Sequence, residues 1–110
     1  MTLPFIKNIR LPEDTVVSMI KFFHQFFLEG DELWLFGSRV DMTKRGGDID
    51  LYIETSFDNY DIAIEKKLAF LYELKKEIGD QKIDLVLKLK SHNYSLPIYQ
   101  IAKSEGVKII

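Results

Sequence analysis

Residues 36–54 read FGSRVDMTKRGGDIDLYIE, and this stretch predicts two strands joined by a polar loop. The first strand is a short apolar run, Glu32–Phe36 (ELWLF), whose last residue begins this stretch and is followed by a Gly-Ser pair. The second, Asp48–Glu54 (DIDLYIE), alternates charged and apolar residues, as a strand with two different faces does. Residues 37–47 between them suit a tight excursion with a short helix or an antiparallel return, and we favour the antiparallel return.

The rest of the chain alternates helix and strand signals, which indicates an α/β or α+β architecture. Apolar residues at helical spacing and terminal glycines mark the helices. We predict a helix from Pro12 to about Leu28, a helix capped by Asp58 or Asn59 that runs to about Ile78, a strand over Lys82–Leu89, a helix over Ser95–Glu105, and an apolar tail over 107–110 that could add an edge strand. A helix joins the second and third strands, so these two should be parallel. The expected fold is a mixed sheet of three to four strands with helices packed on it.

Length and charge restrict the class of protein. The 110 residues fit one domain over residues 1–110, and 46% hydrophobic residues are typical of a globular core. A net charge of −2 argues against broad binding to nucleic acid, which requires a strong positive field. The absence of cysteine excludes disulfides and thiolate–zinc sites. Because Lys7 and Arg10 interrupt the first apolar residues, we expect no signal peptide. No run approaches the ~18 apolar residues of a membrane span, so we expect a cytoplasmic protein.

Three aspartates are the candidate catalytic and metal-binding residues. Asp48 and Asp50 are two apart on the second strand, so both carboxylates should leave the same face. Asp84 lies near the start of the third strand and reaches them if that strand is parallel to the second. Three carboxylates about 5 Å apart repel by roughly 3 kcal/mol per pair at an effective dielectric of ~20, a cost that cations offset. Hard oxygen ligands of this kind suit Mg²⁺ or Mn²⁺.

Gly37 and Ser38 supply a second requirement of phosphate chemistry. A glycine at a strand end lets the backbone approach a phosphate closely, and a helix that starts at Ser38 would direct free N–H groups at an anion. A metal site beside a phosphate site suits two-metal nucleotidyl transfer, with one cation on the triphosphate and the other on the attacking hydroxyl. Asp84 is the candidate to accept the hydroxyl proton.

The spacing of these motifs, GS followed by nine residues and then DxD, resembles the signature of the DNA polymerase beta-like nucleotidyltransferase superfamily. The stretch GSRVDMTKRGGDIDLYIE looks particularly like the small minimal nucleotidyltransferases (MNT). The resemblance extends from the first helix through KIDLV to the C-terminal IAKSEGVKI. It assigns phosphate binding to Gly37 and Ser38, metal binding to Asp48 and Asp50, the third carboxylate to Asp84, and a contact with the triphosphate to Arg39.

The resemblance also implies Mg²⁺, a nucleoside triphosphate donor that we expect to be ATP, and a protein partner. Small members of this kind are often paired with an α-helical HEPN protein. In such pairs they act as antitoxins, and some transfer AMP to a tyrosine of the toxin. We therefore expect transfer of a nucleoside monophosphate to a hydroxyl on a partner, within a HEPN-type hetero-oligomer or a homodimer.

Several alternatives stay open at this point. A catalytically weak or inactive domain could bind nucleotide and neutralise a HEPN partner by occlusion. A small-molecule transferase, similar to aminoglycoside nucleotidyltransferases, would need extra residues to grip its acceptor. Lys44 and Arg45 could steer a triphosphate or belong to a solvated loop, and Asp41 could be an extra ligand or a surface residue. The phenylalanines of the first helix could mark an interface, although a core role is favoured.

Overall fold

A four-stranded mixed sheet organises the chain, and the computed structural model describes residues 3–110 of it. The strands are β1 (Glu32–Phe36), β2 (Ile49–Thr55), β3 (Ile83–Leu89) and β4 (Val107–Lys108), in the order β3-β2-β1-β4. β1 is antiparallel to both β2 and β4, and β2 is parallel to β3. The predicted antiparallel return, the parallel crossover and the added edge strand are thus all confirmed.

Three α-helices and two short 3₁₀ helices complete the described elements: α1 (Glu13–Phe26), α2 (Tyr60–Ile78), α3 (Pro97–Glu105), and 3₁₀ turns over Pro4–Asn8 and Gly37–Val40. Asn59 caps α2 by accepting a hydrogen bond from the Ile62 backbone N–H at 3.1 Å, which decides between the two predicted caps. The 3₁₀ turn at Gly37 shows that the connection contains a short helix as well as an antiparallel return. No helix within residues 3–110 is long and apolar enough to cross a membrane.

One face of the sheet packs against α1 and α2 and forms the larger core. Inward-facing residues of three strands alternate along this face, as the period-two pattern predicts: Leu33, Leu35, Ile49, Leu51, Ile53, Ile83, Leu85, Leu87 and Leu89. Phe22, Phe23 and Phe27 are buried against them, and Phe26 is partly buried. The favoured core role of these phenylalanines is therefore confirmed.

The opposite face is only partly covered, because the short helix α3 is the one helix that packs there among residues 3–110. Phe36, Tyr52, Tyr99 and Ala102 form a second, smaller buried cluster under α3. Asp50 lies on this face beside Tyr52, as the alternation along β2 requires. The carboxylate end of the sheet therefore stays accessible while its other face is sealed by α1 and α2.

Asp31 connects the end of α1 to the far end of β2. It is buried and accepts hydrogen bonds from the Leu28 backbone N–H (3.0 Å) and Thr55 Oγ1 (2.7 Å). It also accepts from the backbone N–H and the hydroxyl of Ser56, both at 2.9 Å. The bond to Leu28 explains why α1 ends at Phe26 rather than at the predicted Leu28, since Asp31 draws the chain into a turn.

Candidate active site

The register of the sheet brings Asp50 and Asp84 side by side. Asp50 pairs with Phe36 of β1 on one side and with Asp84 of β3 on the other. Neighbouring strands lie about 4.8 Å apart, so the two carboxylates project from adjacent positions of one face. The last residue of β1 lies in the same row, and the Gly-Ser turn follows it immediately. Three distant pieces of sequence thus meet at one end of the sheet.

Asp48 lies outside β2, which differs from the predicted strand. The β2–β3 ladder begins one residue later, where the Ile49 backbone N–H donates to the Lys82 carbonyl at 3.0 Å. The exposed Asp48 carboxylate instead pairs with Lys82, with Oδ2 and Nζ 3.5 Å apart. Asp48 therefore borders the Asp50–Asp84 pair from the loop, and strand alternation does not fix its direction.

The donor set fits a cation that is shared with phosphate oxygens. Within residues 3–110, no group of three acidic or histidine side chains is arranged to hold a metal ion alone. Mg²⁺ commonly takes one or two carboxylates and completes its shell with water and substrate phosphates, which is what Asp50 and Asp84 offer. When bound, such an ion would supply charge for the triphosphate and for the attacking hydroxyl.

The electrostatics of Asp50 favour that interpretation. Burial of Asp50, together with the charges of Asp84 and Asp48, raises the pKa of its carboxyl, and Lys82 opposes the effect. A raised carboxyl pKa means that the ionised form is disfavoured at this position in the free protein. Lys82 only partly offsets the burial and the neighbouring carboxylates, and a divalent cation would add the positive charge that favours ionised Asp50.

Gly37 lies directly against this carboxylate. Its φ is +74°, in the region that favours glycine, and a Cβ built at residue 37 would overlap Asp50 Oδ2. A second close approach occurs at Gly47 (φ +92°), where a Cβ would overlap Ser38 Oγ. The loop therefore begins and ends with glycines that let its backbone contact Asp50 and Ser38.

Arg39 takes a position that the sequence did not predict. Its Nε donates to the Gly47 carbonyl at 3.1 Å, and its Nη1 donates to the Arg10 carbonyl at 2.8 Å. The expected contact of this side chain with a triphosphate stays a prediction. In the free protein, the guanidinium closes the loop over residues 37–47 by holding its last part against the segment before α1.

Arg10 is a residue of the site that the sequence reasoning missed. Its Nη2 donates to the carbonyls of Ser38 (2.7 Å) and Gly46 (2.9 Å), and its Nε donates to the carbonyl of Asp41 (2.8 Å). Its backbone N–H also donates to the Arg39 carbonyl at 2.7 Å. A single guanidinium therefore connects three points of the loop. No motif marks Arg10 in the sequence, since the role depends on contacts with distant residues.

The remaining charged residues of the loop divide into two groups. Lys44 and Arg45 are exposed, which suits either steering or simple solvation. The Asp41 carboxylate accepts from the hydroxyl (2.6 Å) and backbone N–H (3.0 Å) of Thr43, and these bonds lower the pKa of Asp41. A cavity of about 520 Å³ lies beside Gly37 and Ser38, and its wall carries Lys44 together with the carboxylates of Asp41 and Glu105.

A mixed sheet that sets two carboxylates beside a glycine–serine turn has the parts that phosphoryl or nucleotidyl transfer uses, a cation site next to a phosphate site. Residues 16–109 match the model of the nucleotidyltransferase domain family, and the chain belongs to this family. The four-stranded mixed sheet with three helices is that of a polymerase beta-like nucleotidyltransferase domain. Transfer of nucleoside monophosphates is the general activity that this membership supports. A search of curated proteins found no match to the chain.

Proposed function

We propose that the protein is a Mg²⁺-dependent nucleotidyltransferase of the MNT kind, which transfers AMP from ATP to a hydroxyl of a protein partner. In this proposal the partner is a HEPN-type toxin, and the transfer makes the domain its antitoxin. The observation that carries the proposal is the position of Asp50, in register with Asp84 and against the Gly37 backbone. That contact sets a cation-binding carboxylate next to the turn that would receive the phosphates.

The residues divide the reaction between them. Gly37 and Ser38 would bind the phosphates that leave, and Asp50 and Asp84 would hold the cation, with Asp48 at their border. The acceptor oxygen forms a bond to the α-phosphorus, and the bond from that phosphorus to the pyrophosphate oxygen breaks. The hydroxyl proton passes to Asp84, which is exposed and therefore accessible to the acceptor. The products are a phosphodiester of the acceptor and pyrophosphate.

The uncovered face supports an acceptor that is presented by a partner. Within residues 3–110, α3 covers the β1 side of this face, and no second lobe lies over Asp50 and Asp84. A macromolecular acceptor can therefore reach the carboxylates directly. A homodimer is the other assembly that would bring a second surface to this edge.

Thermal unfolding with Mg²⁺ and each nucleoside triphosphate tests the nucleotide site. A ligand at 100 times its Kd adds ~2.7 kcal/mol to the free energy of unfolding, a shift of about 10 °C for a domain of this size. We expect the largest shift with ATP, and its loss in Asp50→Asn and Asp84→Asn. If no triphosphate shifts the transition of the folded wild type, the proposed enzyme activity of the free domain is wrong.

A second candidate is a nucleotide-binding domain that neutralises its partner by occlusion, and the observation behind it is that Asp48, one of the three predicted metal ligands, is paired with Lys82. The double variant Asp48→Asn/Asp50→Asn separates the two. If it still forms the complex but no longer neutralises the partner, then transfer is required. If neutralisation survives, occlusion is sufficient. Mass spectrometry of the partner after incubation with Mg²⁺ and ATP gives an independent answer, since transfer adds AMP to one side chain.

A further inference from the structure

A groove of about 430 Å³ lies on the same face of the sheet as the carboxylates, and neither Asp50 nor Asp84 lines it. Its wall is formed by β2, β3 and α3, through Tyr52, Glu54, Lys88, Tyr99, Gln100 and Lys103. A volume of this order is typical of sites that hold a small molecule or a side chain with its neighbours. The groove is therefore large enough to bind a reactant.

The groove lies next to the carboxylates, further along strands β2 and β3. Residues two apart on a strand face the same way and lie about 7 Å apart, so Tyr52 and then Glu54 continue the row that Asp50 begins. On β3, Lys88 lies in the same row as Asp84 and pairs with Glu54 in the sheet register. β1 is antiparallel to β2 and its last residue, Phe36, pairs with Asp50, so the Gly37–Ser38 turn lies beyond Asp50 on the side away from Tyr52. The carboxylates thus separate the phosphate turn from the groove.

The geometry of the reaction predicts from which side of the carboxylates the acceptor approaches. In phosphoryl and nucleotidyl transfer, the attacking and leaving oxygens lie roughly in line across the phosphorus. If pyrophosphate leaves toward Gly37 and Ser38, then the acceptor must approach from the opposite side of the carboxylates. That side is the end of the groove next to Tyr52.

The charges of the groove indicate what the acceptor carries. Glu54 accepts from Tyr52 Oη at 2.7 Å and lies 3.3 Å from Lys103 Nζ, so its charge is already compensated. None of the ion pairs found among residues 3–110 involves Lys88, whose Nζ lies 5.9 Å from the centre of the Tyr99 ring. The groove lining thus carries two ammonium groups and one carboxylate, while Glu32, the β1 neighbour of Glu54, lies outside the lining. The surplus positive charge of the lining suits an anionic group on the ligand.

The rim of the groove favours a polypeptide over a free metabolite. Tyr94 stands beside Tyr99, with ring centres 6.1 Å apart, and 42% of its surface is exposed. Leu96, at the start of α3, is 46% exposed, and it follows Ser95, which lines the groove. Exposed aromatic and aliphatic side chains around a polar groove are typical of surfaces that bind proteins.

We propose that this groove is the acceptor subsite, and that it binds a hydroxyl-bearing side chain of a partner polypeptide that has an acidic residue beside it. The inference rests on the proposed function. The acidic residue pairs with Lys88 and Lys103 while the hydroxyl reaches the Asp84 end of the row. The hydroxyl oxygen forms a bond to the α-phosphorus of ATP, the bond from that phosphorus to pyrophosphate breaks, and the hydroxyl proton passes to Asp84.

Two sets of synthetic peptides test the proposal on the intact protein. Each peptide has one serine, threonine or tyrosine, flanked by glutamate in one set and by lysine in the other. Binding is measured by the emission of Trp34, the single tryptophan, whose ring centre lies 5.9 Å from Lys103 Nζ. Transfer is measured with labelled ATP and Mg²⁺. We expect the glutamate set to bind and to react about tenfold better than the lysine set, as charge pairing at a surface groove would give.

Neutralising the groove should remove this preference. The variant is Lys88→Gln/Lys103→Gln, and Lys88→Glu is a second variant that keeps the Lys103–Glu54 pair. The matched control is Lys75→Gln/Lys76→Gln on α2, which packs on the opposite face of the sheet. We expect the control to keep the wild-type preference for glutamate peptides. The affinity for Mg²⁺–ATP should stay within about twofold of wild type in the two groove variants and in the control.

The two measurements separate this inference from the proposed function. Equal affinities and transfer rates for the two peptide sets would overturn the inference even if transfer occurs. A preference for glutamate peptides that persists in the groove variants would do the same. A charge preference in binding without transfer would support the groove and contradict the enzyme. Labelling of glycerol 3-phosphate in place of any peptide would show that the anionic acceptor is a small molecule, and the polypeptide assignment would then be wrong.

Discussion

The backbone of Gly37 lies against the carboxylate of Asp50, and a Cβ at residue 37 would overlap Asp50 Oδ2. This contact joins the turn after β1 to the row of carboxylates that runs across β2 and β3. The turn and the carboxylate are packed so closely that no side chain fits between them. The proposed phosphate and cation sites are therefore one unit.

Replacing Gly37 by alanine should disrupt that unit. We expect Gly37→Ala to destabilise the fold by about 2 kcal/mol, from positive φ and from displacement of Asp50, and to abolish the Mg²⁺–ATP thermal shift. Gly30→Ala is the control, because Gly30 has a similar φ of +88° but open space around its Cβ position. If both variants lose the same stability and both keep the ATP shift, the Gly37–Asp50 contact has no functional role.

The two adjacent glycines of the loop offer a similar comparison. A Cβ at Gly47 would overlap Ser38 Oγ, whereas a Cβ at Gly46 (φ +59°) meets nothing within 4 Å. We expect Gly47→Ala to weaken ATP binding about tenfold or more by displacing the Ser38 hydroxyl, and Gly46→Ala to change it little. Isothermal titration with Mg²⁺–ATP measures both affinities. Equal affinities in the two variants would exclude a role for the Ser38 hydroxyl in binding.

Asp50 should make the stability of the free protein depend on pH. Its pKa is raised in the folded state by burial and by Asp84 and Asp48, so the folded protein binds more protons than the unfolded chain above the ordinary value of 3.8. The stability that Asp50 contributes is therefore lost as the pH rises through the folded pKa. Without Mg²⁺, Asp50→Asn should unfold at a higher temperature than wild type at pH 7, and the difference should shrink toward pH 4.

Thermal unfolding across this range, with and without Mg²⁺ and ATP, checks that expectation. Saturating Mg²⁺ and ATP should reverse the order at pH 7, because only the wild type binds them well. A difference in unfolding temperature that does not change with pH would contradict the assignment of the shift to Asp50.

Arg10 should control nucleotide affinity without touching the nucleotide. Arg10→Lys keeps the charge but cannot donate to Ser38, Asp41 and Gly46 together, so the loop over 37–47 should loosen. We expect the affinity for Mg²⁺–ATP to fall about tenfold, with a smaller loss of stability of about 1 kcal/mol. Arg45→Lys, at an exposed position of the same loop, is the matched control. Retained affinity in Arg10→Lys would show that charge alone is sufficient.

Asp31 should contribute to stability and not to the site. Asp31→Ala leaves four buried or half-buried donors without their acceptor, and we expect a loss of about 3 kcal/mol, or roughly 10 °C or more. Affinity for Mg²⁺–ATP below the unfolding temperature should not change, because Thr55 and Asp50 lie at opposite ends of β2. Asp58→Ala, at an exposed position, is the control for charge. A fall in affinity in Asp31→Ala would show that the two ends of β2 are coupled.

Local patterns in the sequence were sufficient to predict the elements and most of their pairing. β1 was predicted with its observed bounds, since a short apolar run before Gly-Ser has few alternatives. The direction of β3 relative to β2 followed from the length of α2 between them. The shared end of the sheet for Gly37, Asp50 and Asp84 then followed from topology alone.

Only the tertiary structure decided how the site is held and what lies next to it. Arg10 reaches carbonyls that are 28, 31 and 36 residues away, and neither periodicity nor spacing can indicate a contact between a side chain and a distant backbone. The exit of Asp48 from β2 depends on where the ladder with β3 begins, and the groove depends on how far α3 extends over the sheet. Sequence patterns report which face a residue occupies, whereas contacts between elements depend on packing in three dimensions.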